Sequence, residues 1–495
     1  MQYISTRGQA PVSSAQAVLN GLSPDGGLYV PEYIPEAPAE WLDPFARYTY
    51  QELASAVLNL YFPEFGESEL KEMCLQAYAS FSDPGVIPYT RLDDSTCLME
   101  LYHGPTLAFK DVALQLLPRL IVRAAQLTGE KRVIHILTAT SGDTGKAALE
   151  GFHDVEGTAC TVFYPKDGVS DLQYRQMATS QGKNVQVVAV RGNFDDAQTG
   201  VKRLFADPDF RAELNAAGRL PSSANSINIG RLIPQIVYYF HGYRYLRATN
   251  ALKAGEPMDV CVPTGNFGDI LAAWYAKHMG LPVGRLICAS NRNRVLTDFF
   301  NTGIYDIDRP FHKTISPSMD ILISSNLERL LFELCGRDAG TVRAWMASLK
   351  ENGRFELSAA LLSKLQAEFA AGTADDDQTR AAIRDTFESA HKLVDPHTAV
   401  GLSVLGALRS GKTKNCVTLV NATASPYKFV SDVSSALGLP VSGRVFDDAR
   451  ALSDRTGTQL PASIAALETM EIRHKTVSEP ENMGEAVMAF IGKEA

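Results

Sequence analysis

The chain has 495 residues, enough for about three domains at ~150 residues each, and its 45% hydrophobic and 21% charged residues supply material for a sizeable buried core. A formal net charge of -9 and a pI of about 5.6 exclude a general affinity for nucleic acid or anionic membranes, so any phosphate must be held by a local site. Seven scattered cysteines without a CxxC pair, and nine histidines without an HExxH, argue against a disulfide framework and a zinc site.

The opening MQYISTRGQAPVSS lacks the apolar core of a signal peptide and the Arg-rich amphipathicity of a transit peptide. The apolar stretch at 114–127 is broken by Pro118, Arg119 and Arg123, so no membrane span is expected and the reading is cytoplasmic. Gly21, Gly26, Gly27 and several prolines predict turns, and 50–60 and 68–81 read as helices, so residues 1–95 are expected to form a mainly helical N-terminal region. From residue 133 strands and helices alternate. Strands are predicted at 133–137, 161–164, 185–190, 259–262, 285–289 and 417–420, with helices from about 146 and at 172–181, 195–206, 229–245 and 269–279. Apolar strands separated by helices of this length predict an α/β fold with mostly parallel sheets covered on both faces. Residues 326–392 read as consecutive helices with a polar break at 372–378, an insertion into the α/β body. No internal repeat or low-complexity segment is found.

Lys110 closes the run His103-Gly104-Pro105-Thr106-Leu107-Ala108-Phe109-Lys110-Asp111. A free lysine amine has a pKa near ~10.4 and is a poor nucleophile at neutral pH. By itself Lys110 would read as a solvated surface lysine, but its neighbours argue otherwise. Gly104-Pro105 fixes a turn, Phe109 offers a flat apolar group, and Asp111 suits a helix's first turn. Gly265-Asn266-Phe267-Gly268-Asp269 follows one predicted strand and precedes a helix, so its N–H groups can point at an anion, although an ordinary strand–helix turn would look the same. Thr140-Ser141-Gly142-Asp143-Thr144-Gly145 lies in the same kind of position and can hold a second anion such as a carboxylate, or simply cap a helix. Ser223-Ala224-Asn225-Ser226-Ile227-Asn228-Ile229-Gly230-Arg231 adds amide, hydroxyl and guanidinium donors. Asn421-Ala422-Thr423-Ala424-Ser425-Pro426 places a small hydroxyl after the last strand. No GxxxxGK[ST] and no GxGxxG occurs, which disfavours ATP and dinucleotides. An activatable lysine with anion-binding loops is what a pyridoxal-phosphate enzyme needs.

HGPTLAFKD, TATSGDTG, SANSINIGR, PTGNFGD and NATASP, in this order and at these intervals, resemble the threonine synthase family, whose fold is that of the tryptophan synthase β chain (pyridoxal-phosphate fold type II). The opening, Tyr3 to Arg7 and Asp25 to Pro31, is similar to that family's N-terminal region, so the resemblance spans nearly the whole chain. It implies two open α/β domains: a large cofactor-binding one from 96–128 and 257–495, carrying the helical insertion 326–392, and a small one at 129–256. It implies that Lys110 is catalytic and carries pyridoxal 5'-phosphate. Gly265, Asn266, Phe267, Gly268 and Asp269 would hold the cofactor phosphate, and Thr423 would face the pyridine nitrogen. Thr140, Ser141, Gly142, Asp143 and Thr144 would take the substrate carboxylate; Asn225, Ser226 and Arg231 would take its phosphate. Where the family motif allows His, this chain has Ser425. The element Asp395-Pro396-His397-Thr398-Ala399 also belongs to the resemblance, and a turn beside a hydrogen-bonded histidine is the expected reading. The implied reaction turns O-phospho-L-homoserine and water into L-threonine and phosphate. A phospho-lyase releasing 2-oxobutyrate, or a non-catalytic cofactor-binding relative, are the alternatives. No metal is expected, and a monomer is the default expectation.

Overall fold

In the computed structural model of the chain, residues 1–46, 48–140, 142–410 and 416–494 are described. Two sheets organise them. The larger runs Phe369–Thr373, Val283–Ser290, Met258–Pro263, Thr418–Ala422, Thr96–Glu100, Tyr89–Arg91. Its neighbours are parallel except for Tyr89–Arg91, which runs antiparallel to Thr96–Glu100. The smaller runs Thr476–Ser478, Val185–Val190, Thr158–Pro165, Val133–Ala139, Arg219–Ser222, parallel throughout. Val185–Val190 and Thr158–Pro165 are buried along their whole length, as strands covered on both faces must be. Apolar residues therefore lie on both faces of each strand and do not simply alternate with polar ones.

Local chemistry sets the helix starts. Ser170, Asn193 and Asp375 each form a reciprocal capping box with the third helical residue, opening the helices Asp171–Ala178, Phe194–Ala206 and Asp376–Ala390. The expected single helix at 229–245 is two, Ile229–Leu232 and Ile236–Ala248, joined by a 3-10 turn that contains Pro234. The N-terminal region carries the helices Tyr50–Tyr61 and Glu67–Tyr78 and adds a three-stranded antiparallel sheet, Val12–Ser13, Gln2–Ser5, Tyr29–Pro31. It packs on Ile236–Ala248 through the edge-on pairs Trp41–Phe240 (5.6 Å) and Tyr50–His241 (5.3 Å). No helix among the described residues is long and apolar enough to cross a membrane.

Three expectations change. Residues 326–392 are not an inserted run of helices: Phe369–Thr373 within them is the edge strand of the larger sheet, parallel to Val283–Ser290. Its sequence, Phe-Ala-Ala-Gly-Thr, has a single β-branched residue, Thr373, and its small central residues answer a close helix. A Cβ on Gly372 would lie 2.7 Å from Val404 of the helix Pro396–Arg409. Second, Tyr89–Arg91 joins the larger sheet from inside the 1–95 region. Third, the tail leaves the large unit assigned to 257–495, because Thr476–Ser478 pairs with Val188, Ala189 and Val190 of the smaller sheet.

The two units meet closely where the helix Lys110–Leu114 touches the helix Asp143–Phe152. A Cβ on Gly151 would lie 2.0 Å from the Leu114 carbonyl oxygen, a backbone atom that cannot swing aside. Helix propensity alone would make Gly151→Ala stabilising by about 0.5–1 kcal/mol. The clash is expected to win, lowering stability by about 1–3 kcal/mol, read as a lower urea midpoint at unchanged slope.

Candidate active site

Because the central strands are parallel, their carboxyl ends share one edge of each sheet, where open α/β folds bind ligands. Four chain segments leaving the larger sheet and two leaving the smaller one converge there. Lys110 begins the helix Lys110–Leu114. The preceding turn folds onto Asp111, whose carboxylate accepts from the Thr106 N–H (2.8 Å) and hydroxyl (2.6 Å). Gly104 has no alternative here, since a Cβ would lie 2.5 Å from the Asp111 Cβ. Burial pushes the Asp111 carboxyl up to about 6. The Phe109 N–H donates to the Thr423 carbonyl (2.8 Å) and the Ser425 N–H to the Leu107 carbonyl (3.0 Å), which seats the lysine segment against residues 423–425.

The Lys110 amine is buried, its side chain 11% exposed, 5.1 Å from the centre of the Phe109 ring. It donates to the Ser318 hydroxyl at 3.4 Å and lies 3.7 Å from Asp143 Oδ2, both longer than a strong hydrogen bond. Asp143 Oδ1 is held from elsewhere: Lys428 Nζ at 2.9 Å and the Gln173 amide at 3.2 Å. Burial lowers the proton affinity of Lys110, and the Lys428 and Arg231 charges lower it further against the pull of Asp143. Burial would raise the Asp143 carboxyl, but Lys428 and then Lys110 hold it well below the usual carboxylate range.

The Asp143 side chain is thus engaged by lysines, and what its segment can offer a carboxylate is the start of the helix Asp143–Phe152. Thr140 shapes that loop, its hydroxyl accepting from the Gly142 (3.0 Å) and Gly145 (2.9 Å) N–H groups. Gly142 holds φ 143°, a conformation open to glycine. Thr144 is half-buried, and Ser141 lies outside the described residues.

The 265–269 loop joins the strand Met258–Pro263 to the helix Gly268–His278. Phe267 is left-handed (φ 63°), its ring buried against Phe300 (5.9 Å) and Phe369 (6.0 Å). That anchor turns the backbone so that the N–H groups of Gly265, Asn266, Phe267, Gly268 and Asp269 have no acceptor among the described residues. The Asp269 side chain points away from the loop, accepting from Tyr238, from Tyr239 (2.6 Å) and from Asn421 (3.0 Å). Burial raises its pKa despite these donors. Only its N–H can serve an anion.

Arg231 is buried, and Nη1 donates to the Ala224 carbonyl (2.6 Å) while Nε has no partner among the described residues. Burial pushes the guanidinium down to about 10, and no carboxylate among the described residues is paired with it. A buried guanidinium with a free donor is arranged for an anion. The Ser226 hydroxyl accepts from the Asn326 amide (3.3 Å), which also donates to the Asn266 carbonyl (2.9 Å). The Asn225 amide oxygen accepts from Thr138 (2.8 Å).

Ser318, Asn326, Arg329 and Lys428 lie outside the sequence motifs and belong to this site. Ser318 touches Lys110, and its own N–H donates to His397 Nε2 (3.1 Å). That places the ring proton on Nδ1, facing Asp395 at 2.7 Å. His397 is therefore hydrogen-bonded as expected, but it lies in the first turn of the helix Pro396–Arg409 and not beside a loop turn, and it fixes Ser318. Ser425 caps the 3-10 turn Pro426–Phe429, which carries Lys428 inward. Arg329, fully buried, donates to Asn326 and to the carbonyls of Tyr29 (2.9 Å) and Ile227 (2.5 Å). Only Lys428, two residues past NATASP between Tyr427 and Phe429, had a local signal: a lysine in an apolar run.

A buried amine 3.7 Å from a carboxylate that another lysine holds, five free N–H groups at a strand end and a threonine at the next strand end fit pyridoxal phosphate. The fold and this donor set define a pyridoxal-phosphate-dependent enzyme, and a family profile described as "Pyridoxal-phosphate dependent enzyme" matches residues 87–422. Profiles for "Threonine synthase N terminus" and "Threonine synthase, C-terminal" match residues 2–78 and 398–491. Threonine synthase from Pseudomonas aeruginosa is 41% identical over 441 residues, covering 88% of this chain and 90% of that one. Threonine synthase-like 1 from Homo sapiens is 40% identical over 435 residues, and there the match covers 86% of this chain but 58% of the longer relative. The crystal structure of PLP-bound threonine synthase from Brucella melitensis superposes with a TM-score of 0.88 at 39% identity, covering 99% of each chain. The chain belongs to the threonine synthase family, and its cofactor is pyridoxal 5'-phosphate.

A Cβ on Gly265 would lie 2.6 Å from the Ser318 carbonyl oxygen, so the loop and the Ser318 turn can approach only through glycine. Gly265→Ala is expected to weaken cofactor binding about tenfold or more, a loss of about 1.4 kcal/mol. Titrating cofactor-free protein with pyridoxal phosphate by absorbance measures it.

Proposed function

We propose that this enzyme converts O-phospho-L-homoserine and water to L-threonine and phosphate. The observation that carries the reading is Arg231: a buried guanidinium with a free donor and no paired carboxylate, close enough to Lys110 to depress its proton affinity. An amino-acid substrate bearing a second, strongly anionic group is what such a pair of cations suits. Bound at Lys110, pyridoxal phosphate supplies an electron sink for charge developing at the substrate's Cα and Cβ.

The residues of the chain divide the remaining work. Lys110, uncharged once freed, takes the Cα proton. The 265–269 N–H groups hold the cofactor phosphate, and the Thr423 hydroxyl meets the ring nitrogen. The N-terminus of the helix Asp143–Phe152, with Thr144 and the Thr140-shaped loop, holds the substrate carboxylate. Arg231, Ser226 and Asn225 bind the phosphate that departs from Cγ, before water adds at Cβ. The burial of Lys110 keeps bulk water from intercepting the reaction early. The larger sheet's unit thus holds the cofactor, and the smaller sheet's unit closes over the substrate.

Incubation with O-phospho-L-homoserine is expected to yield threonine and phosphate in equal amounts; predominant 2-oxobutyrate would overturn the reading in favour of a lyase. Arg231→Met is expected to raise KM for that substrate about 10- to 150-fold, the equivalent of one charge-assisted hydrogen bond at about 1.5–3 kcal/mol. Lys110→Ala is expected to abolish turnover, and a fully active variant would remove Lys110 from the mechanism.

A further inference from the structure

Lys428 is a fully buried lysine that no motif and no step above requires. Its amine is fixed at two points, 2.9 Å from Asp143 Oδ1 and 2.8 Å from the Thr106 carbonyl oxygen. Asp143 is the carboxylate nearest Lys110, yet its closer contacts are Lys428 and Gln173, and it stands 3.7 Å from the Lys110 amine. We propose that Lys428 is a positioning residue that engages the Asp143 carboxylate so that it does not close on Lys110, leaving that amine free to shed its proton. The inference rests on the reading that Lys110 is the reactive amine.

The physical argument is one of competition. A lone buried carboxylate beside a buried amine draws in to a short, charge-assisted hydrogen bond and locks the amine as ammonium, which can neither attack a carbonyl nor take a proton. A second cation on the opposite side of that carboxylate neutralises it and repels a proton from the first amine. The groups that face Lys110 are Asp143, Lys428 and Arg231, with the Ser318 hydroxyl as a neutral contact. Asp143 in turn faces Lys428, Lys110 and His397. Asp111, on the helix of Lys110, faces Lys428 and Glu150 and is hydrogen-bonded to Thr106. Of these, Lys428 alone touches both the Asp143 carboxylate and the turn that precedes Lys110. Removing its charge leaves Asp143 with one cationic partner, Lys110.

The test uses the full-length chain freed of cofactor. Competitive acetylation with trace acetic anhydride across a pH series, followed by peptide mapping, gives the pH at which Lys110 becomes a neutral amine. Lys428→Met and Lys428→Gln, the latter still able to donate to the Thr106 carbonyl, are each expected to raise that midpoint by ~1 pH unit or more, a roughly tenfold loss of neutral amine at fixed pH. Lys428→Arg is expected to restore it, and Asp143→Asn to lower it below the wild type. In the holoenzyme, the pH midpoint of the cofactor absorbance is expected to move in the same directions. A midpoint unchanged or lowered in both Lys428→Met and Lys428→Gln, with near-UV circular dichroism like the wild type, overturns the proposal. Should one variant misfold, the other decides. Borohydride reduction and peptide mapping of the wild-type holoenzyme tests the underlying reading separately, because an adduct away from Lys110 removes that reading whatever the labelling shows.

Discussion

One carboxylate joins the two halves of this molecule. Asp143 starts a helix that follows the strand Val133–Ala139 of the smaller sheet, while Lys110 and Lys428 belong to segments beside the larger sheet. All three side chains are buried, so their charges act through a medium that screens far less than water. Such a cluster is tolerable only when its members are paired, because a single buried charge costs several kcal/mol. The relative placement of the two sheets is therefore tied to the state of the reactive amine: moving them apart would strip Asp143 of both partners at once.

Around this bridge the loops are held by groups that touch no ligand. Asn326 donates to both Ser226 and the Asn266 carbonyl, and Arg329 holds Asn326, Ile227 and Tyr29. The two candidate anion sites, 225–231 and 265–269, thus share one buried support that also reaches the N-terminal sheet. His397 and Asp395 do the same for Ser318. The loops gain a fixed shape from this, and their free N–H groups are left pointing where an anion can meet them. Order that exists before binding is not lost again on binding.

The alternation of strands and helices was legible because each buried strand is a run of apolar, largely β-branched residues, as in Val185–Val190. Phe369–Thr373 was not, because a helix packs close against Gly372 and the small residues Ala370, Ala371 and Gly372 carry little strand signal. In the site, the segments around Lys110, Gly265 and Arg231 could be read locally, since glycine and charge at a strand end follow from backbone geometry. Ser318 and Arg329 could not, because their meaning arises from partners more than 75 residues away: His397, Lys110, Ile227 and Tyr29. Asp143 stood in a segment read as anion-binding, yet its carboxylate meets lysines, a reversal visible only when Lys428 is brought beside it. His397 was legible as a hydrogen-bonded histidine, but neither its place in the helix Pro396–Arg409 nor its support of Ser318 was.

The balance of charge suits the cleft to anionic groups. Lys428 and Arg231 act on Lys110 there, and Asp143 is the carboxylate that answers the two lysines. At ~4 Å and an effective dielectric constant of about 20, two unit charges interact by about 4 kcal/mol, so one uncompensated cation is a large term beside a total stability of about 5–15 kcal/mol. Burial depresses the proton affinity of Lys110, and Nε of Arg231 and the N–H groups of the 265–269 loop have no partner among the described residues. Neutral occupants would leave that excess standing. Anionic ones would offset it, which is why a free donor on a buried guanidinium points to an anionic ligand.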